Sequence, residues 1–258
     1  MDNNLLNKTA LVTGGGSGIG KSVCHRLAQS AAKIIVVDLN LEAAQVTAEK
    51  IVNDGGQAEA YACDVSSHQQ VTSMFETIEQ KDRIDIVVNN AGIAHIGNIE
   101  ACSEADLDRL FNVNVKGVYN IMAAAIPGMK SRQSGNIINL ASVASSVGIA
   151  DRFAYSMTKG AVLTMTLSVA KDYINCGIRC NCVSPARVHT PFVDNFLEQN
   201  YPDNKDEMFE ALSKSQPIGR MGTPEEVAEL IAFLSSDASS FITGTNVPVD
   251  GGFVTLNN

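Results

Sequence analysis

The chain has 258 residues, 45% of them hydrophobic and 18% charged, with a net charge of −9 at neutral pH. This length allows one α/β domain or two small ones, with ample core in either case. The acidic balance argues against nucleic acid or an anionic membrane surface as the main partner, because phosphate binding needs a basic face. No apolar run approaches the ~20 residues of a membrane span.

Met1-Asp2-Asn3-Asn4 has neither the basic nor the apolar region of a secretory signal, so a cytoplasmic location is expected. Thr9–Thr13 reads as a buried strand, 18–30 as a helix and Lys33–Asp38 as a second strand. The next helix places Leu41, Ala44, Ala48, Ile51 and Val52 on one face. A strand over 57–63, a helix over 67–81 and the strand Ile84–Asn89 follow. Ser103, with Asp106 three residues on, opens a predicted long helix over 103–130. Asn136–Leu140 is the fifth strand, 153–175 a long helix and Ile178–Val183 the sixth strand. The alternation then lapses over 186–222, where Pro191, Pro202 and Pro217 predict a flap or lid over a site. Thr223-Pro224-Glu225-Glu226 starts the last helix, and a strand over 246–249 runs into Asp250-Gly251-Gly252. Apolar strands alternating with helices predict an α/β fold. It is a single domain over 1–258, a doubly wound, mainly parallel sheet with helices on both faces.

The cysteines at 24, 63, 102, 176, 180 and 182 fit no zinc pattern and read as reduced thiols, with 180 and 182 on one face of a strand. The histidines at 25, 68, 95 and 189 are scattered without ligand spacing, so no metal site is expected.

Two stretches carry chemistry. Tyr155 and Lys159 are four apart on a predicted helix and share a face. An ammonium about 4 Å from a phenolate, at an effective dielectric of ~20, stabilises the anion by roughly 4 kcal/mol. That is the scale needed to make a phenol a proton acceptor near neutral pH. The second stretch is Thr13-Gly14-Gly15-Gly16-Ser17-Gly18-Ile19-Gly20, between a strand and a helix. Its glycines admit a pyrophosphate to the helix N-terminus. Asp38 closes the second strand, where a carboxylate accepts both ribose hydroxyls and repels a 2′-phosphate. No Arg or Lys lies in the turn and Leu39 follows Asp38, which favours NAD over NADP.

The glycine spacing resembles the T-G-x-x-x-G-x-G turn of the short-chain dehydrogenase/reductase superfamily, and further motifs follow in the family's order over nearly the whole chain. Asp64-Val65 resembles its adenine contact, and Asn89-Asn90-Ala91-Gly92 its N-N-A-G. Asn114 in Asn112-Val113-Asn114-Val115 and Ser142 match the two further members of its catalytic tetrad. Pro185 to Pro191 occupies the place of its nicotinamide loop, with Ala186 where glycine is usual, and Asp250-Gly251-Gly252 matches its C-terminal signature. The resemblance implies a seven-stranded sheet and a homotetramer. It implies that Tyr155 exchanges a proton with the substrate hydroxyl and that Ser142 holds that oxygen. Lys159 would bind the nicotinamide ribose and assist Tyr155, while Asn114 would hold a water that relays protons. Gly14, Ser17, Gly18, Ile19, Gly20, Asp38, Asp64, Val65, Asn90, Ala91 and Gly92 would bind the rest of NAD. Val188 and Thr190 would fix its carboxamide.

Arg152 sits three residues before Tyr155, Arg187 follows Ala186, and Arg220 returns from the lid in Gln216-Pro217-Ile218-Gly219-Arg220. Guanidinium forks suit carboxylates. Asp151-Arg152-Phe153-Ala154-Tyr155 and the Gln216 to Arg220 segment also resemble the 3-hydroxybutyrate and 2-keto-3-deoxy sugar-acid dehydrogenases. The expected activity is NAD-dependent interconversion of a secondary alcohol and a ketone on a small hydroxy acid, a sugar acid foremost. The alternatives are a 3-oxoacyl thioester reductase, a neutral alcohol or sugar dehydrogenase, and a non-enzymatic NAD sensor.

Overall fold

The computed structural model describes residues 4–256, and only the backbone of residues 192, 196, 199 and 200. Met1 to Asn3, where no signal segment is read, lie outside the described residues. Seven strands form one parallel sheet: β1 Thr9–Thr13, β2 Lys33–Asp38, β3 Gln57–Ala62, β4 Ile86–Asn89, β5 Gly135–Leu140, β6 Ile178–Pro185 and β7 Asn246–Val249. Their order is β3-β2-β1-β4-β5-β6-β7. The chain therefore reverses direction across the sheet between β1 and β4, and the carboxyl ends of those two strands flank the crevice where such sheets bind ligands.

Alternate side chains of each strand enter opposite cores, as a period of two requires. Leu11, Ile35, Val87, Ile137, Cys180 and Cys182 pack beneath α3 (His68–Glu79), α5 (Gly117–Ser131) and α6 (Phe153–Tyr173). Val12, Val36, Val88, Ile138 and Val183 pack beneath α1 (Gly18–Gln29), α2 (Leu41–Asn53) and α9 (Pro224–Ser235). Cys180 and Cys182 thus share a buried face, and burial pushes both thiols above their usual value. No helix among the described residues is long and apolar enough to cross a membrane.

The predicted helix over 103–130 forms without a break, but its middle is wound more widely. α4 (Glu104–Leu110) and α5 are joined by a π-turn over Phe111–Lys116. Its wider winding carries Asn114, which is buried and bonded on both sides of its amide. Ser103 caps α4 by accepting the Asp106 N–H at 3.1 Å, and Thr223 with Glu226 forms a complete capping box on α9. The stretch from 186 to 222, read from sequence as irregular, contains α7 (Pro191–Asn200) and α8 (Lys205–Lys214). Pro191 does not interrupt α7, because it stands at the helix start, where its missing N–H is not needed.

Candidate active site

The glycine turn fixes one wall. Gly14 has a φ of +64°, and a Cβ there would meet Asn90 Nδ2 at 2.9 Å. A Cβ on Gly20 would fall 2.1 Å from the Gly14 carbonyl oxygen, so the turn closes only with glycine at both positions. Thr13 and Asn90 splice the ends of β1 and β4. The Thr13 hydroxyl accepts the N–H groups of Asn90 and Ala91, and Asn90 Nδ2 donates to the carbonyls of Thr13 and Gly14. Ser17, the residue before α1, makes no side-chain cap. The first-turn amides therefore remain free of a side-chain partner at a helix end that carries positive partial charge.

Asp38 receives the Gly16 N–H at 2.9 Å on one oxygen and the Asn40 N–H at 3.0 Å on the other. A Cβ on Gly16 would lie 2.9 Å from that first oxygen and 2.7 Å from Ala43 Cβ, so the turn is drawn tight against the acid. Asp64 accepts both the N–H and the hydroxyl of Ser66, and Val65 offers its carbonyl to Asn120.

The other wall comes from β5, α6 and the loop after β6. Ser142, directly beyond β5, accepts the Ala144 N–H at 3.2 Å. Lys159 is buried, and its ammonium donates to the Leu140 carbonyl at 2.7 Å, 5.7 Å from the centre of the half-buried Tyr155 ring. Asn114 gives its amide hydrogens to Ile93 O (2.9 Å) and Thr158 Oγ1 (3.0 Å) and receives the Ile93 N–H (2.8 Å). A Cβ on Gly92 would lie 3.2 Å from Asn114 Oδ1 and 3.6 Å from Lys159 Nζ, so these three positions meet. Val188 bridges to Gly222, and Thr190 lies 3.5 Å from where a Gly18 Cβ would stand, which brings the loop against the glycine turn. Ala186 is not among the residues of positive φ, and its N–H donates to Val249 O at 3.1 Å. The missing glycine therefore introduces no strain there.

These walls enclose a cavity of about 820 Å³. Gly14, Ser17, Gly18, Ile19, Asp38, Asp64, Val65, Asn90, Ala91, Gly92, Ser142, Tyr155, Lys159, Val188 and Thr190 all line it, as do Arg152 and Arg187. Gly20 and Asn114 stand behind the lining and hold it in place. Burial first, and then the charge of Arg152, push the Arg187 guanidinium below its ordinary pKa. Neither arginine forms an ion pair with a carboxylate of the described residues. Arg220 lies elsewhere. Both of its terminal nitrogens donate to Glu226, at 2.8 and 2.6 Å, and it does not reach the cavity. The sequence reading missed Gln216 and Phe253 as lining residues, although each sits in or beside a motif singled out from the sequence.

The model of the family described as "Enoyl-(Acyl carrier protein) reductase" matches residues 14–254. Oxidoreductase UcpA of Escherichia coli K12 is 36% identical over 251 residues, covering 96% of this chain and 95% of that protein. "Dehydrogenase/reductase SDR family member 6" of Rattus norvegicus is 38% identical over 250 residues, covering 96% and 98%. The chain belongs to the short-chain dehydrogenase/reductase superfamily. As a short-chain dehydrogenase/reductase it is an oxidoreductase. Its fold superposes on levodione reductase with a TM-score of 0.93, at 32% identity and covering 98% and 100% of the two chains. It also superposes on a Burkholderia cenocepacia gluconate 5-dehydrogenase solved with NADP and tartrate, with a TM-score of 0.90 at 34% identity and covering 98% of each.

Proposed function

We propose that this short-chain dehydrogenase/reductase interconverts a secondary alcohol and a ketone on a small hydroxy-carboxylate, a sugar acid foremost, with NAD. The observation that carries the substrate class is the pair Arg152 and Arg187. Two guanidiniums line the same cavity as Ser142 and Tyr155, close enough to repel each other, with no carboxylate of the described residues to neutralise them. Like charges held together in a half-buried cleft are unfavourable until an anion arrives. The similarity to a gluconate 5-dehydrogenase supports the same class.

The dinucleotide fits the other half of the cavity. The glycine turn leaves room where any Cβ would clash, and uncapped first-turn amides face it. Gly14, Ser17, Gly18, Ile19 and Gly20 would shape the pyrophosphate seat, and Asp64, Val65, Asn90, Ala91 and Gly92 the adenosine side. Val188 and Thr190 would hold the carboxamide. Asp38, an anion at the end of β2 whose neighbour Leu39 carries no positive charge, supports NAD over its 2′-phosphorylated form. The nicotinamide supplies a two-electron acceptor for the hydride that leaves the carbinol carbon.

The chain's own groups orient the substrate and move the proton. Tyr155 accepts the hydroxyl proton as the carbonyl forms, Ser142 holds that oxygen, and Lys159 places a fixed positive charge beside the tyrosine. The Asn114 amide holds the loop after β4 against the helix that carries Tyr155 and Lys159, and from that position the residue would hold the water that relays protons from Lys159. The segment over 186–222, with α7 and α8, acts as a lid in this reading. The exposed Tyr119, Phe153, Met157, Leu167 and Ile174 on and beside α5 and α6 support self-association as a tetramer. The location is cytoplasmic.

The test is absorbance at 340 nm with NAD and, separately, NADP, against hydroxy acids, sugar acids, neutral alcohols and aldohexoses. Turnover confined to carboxylates with NAD is expected. Turnover of neutral substrates alone would overturn the carboxylate assignment.

A further inference from the structure

Arg187 reaches the cavity from the loop after β6 and lies near the like charge of Arg152, so its long side chain needs a partner to hold it there. Its Nε donates to the Ser215 hydroxyl at 3.1 Å. Ser215 follows the last turn of α8 and donates in turn to the Leu212 carbonyl at 2.6 Å. The Ser215 hydroxyl oxygen also accepts from Gln216 Nε2 at 3.0 Å. Gln216 is buried, and its Oε1 lies 3.5 Å from the Arg187 backbone nitrogen. One hydroxyl therefore ties together the guanidinium, the final turn of α8 and a buried amide. It holds the guanidinium by its inner nitrogen. No other described side chain or carbonyl takes its two terminal nitrogens, which are the ones that grip a carboxylate side by side.

We infer that Ser215 is a positioning residue for substrate selection, acting through Arg187: it holds the guanidinium in the cavity against the repulsion of Arg152. This rests on the anionic-substrate reading above. It makes the end of α8 part of the specificity apparatus although Ser215 itself does not line the cavity. A hydrogen bond to a charged group is the kind whose loss is felt in affinity, on the order of tenfold or more.

The experiment titrates gluconate and 3-hydroxybutyrate calorimetrically into the full-length enzyme loaded with NADH, so that no turnover occurs. Ser215→Ala is expected to weaken binding of the better-bound carboxylate about tenfold while leaving NADH affinity unchanged. Ser215→Thr, which keeps the hydroxyl, should restore it to within about threefold. Arg187→Ala should weaken binding at least as much as Ser215→Ala, and the double variant no further than Arg187→Ala alone, because the serine then has nothing to position. Should Ser215→Ala fail to fold, Ser215→Cys keeps the volume without the strong hydrogen bond and serves in its place. Additive losses in the double variant, or normal binding by Ser215→Ala beside weakened Arg187→Ala, would overturn the role of Ser215 and leave the anionic-substrate reading intact. Normal binding by both Arg152→Ala and Arg187→Ala, or no binding of either carboxylate to the wild-type complex, would overturn that reading and this inference together.

Discussion

Lys159 gives its ammonium to the Leu140 carbonyl at the end of β5, and from that anchor stands 5.7 Å from the centre of the Tyr155 ring. One hydrogen bond thus fixes the charge that the tyrosine works beside. Two variants separate the chemistry from the scaffold. Tyr155→Phe removes only the hydroxyl proposed to exchange the proton, which has no hydrogen-bond partner among the described residues, so kcat should fall by about 10²- to 10⁴-fold at unchanged stability. Lys159→Met should lower kcat and also leave the Leu140 carbonyl without its donor, lowering stability by about 1–3 kcal/mol. Turnover at 340 nm beside urea unfolding checks both. A Tyr155→Phe enzyme of normal activity would remove the tyrosine from the reaction.

Asn114 calls for the opposite expectation. Its amide makes three hydrogen bonds in a buried setting. Asn114→Ala would strand the N–H and carbonyl of Ile93 and take one donor from the Thr158 hydroxyl, which keeps its own bond to the Tyr155 carbonyl, at a cost of about 2–4 kcal/mol. At this chain length that corresponds to a fall in Tm of about 4–16 °C. Calorimetric melting checks it. Loss of turnover with an unchanged Tm would show that the residue serves chemistry rather than architecture.

The sequence carried most of the sheet because its strands are continuous apolar runs, which only burial on both faces explains. The glycine turn and Asp38 were legible for a similar reason, since few residue types satisfy a backbone that must pass so close to its neighbours. What was not legible depends on contacts between distant segments. The π-turn at Phe111–Lys116 leaves no mark in periodicity, and its reason, the bonds from Asn114 to Ile93 and Thr158, spans 21 and 44 residues. The sequence places Arg152 and Arg187 at the substrate and sets Arg220 beside them, but it does not show what each one meets. Only the fold shows that Arg220 is taken up by Glu226 on α9, whereas Arg152 and Arg187 face the cavity.

That distinction is testable. Arg220 and Glu226 are about half exposed, so their pair contributes at most about 1 kcal/mol. Arg220→Ala should leave KM for a hydroxy-carboxylate within about twofold of wild type, whereas Arg152→Ala and Arg187→Ala should each raise it on the order of tenfold or more. Equal effects from all three would show a diffuse field rather than a built site.

The proposed preference for NAD rests on Asp38. Replacing Asp38 with Ser and Leu39 with Arg removes an anion and supplies a fork for a 2′-phosphate. The ratio of kcat/KM for NADP over NAD should rise by about 10²-fold, the scale of one charge-assisted hydrogen bond gained and one repulsion lost. A wild-type enzyme that already prefers NADP would refute the role given to Asp38.

Glu59 on β3 offers a pH test away from the cavity. It accepts from Lys33 at 2.8 Å, from Lys81 and from the Tyr61 hydroxyl at 3.1 Å. The bond from Lys33 first, and that from Lys81 second, hold its carboxyl at about 2 rather than 4.5. The folded pKa is the lower one, so the unfolded chain takes up the proton first. The stabilisation is complete above about pH 4.5 and is lost progressively as pH falls toward 2. The side chain is 33% exposed, so solvent screening reduces the contribution to about 1–2 kcal/mol. Urea unfolding of wild type and Glu59→Gln should differ by that amount at pH 7, with the gap narrowing steadily below pH 4.5. A gap that stays constant down to pH 3 would mean that Glu59 acts through packing, with its charge contributing nothing.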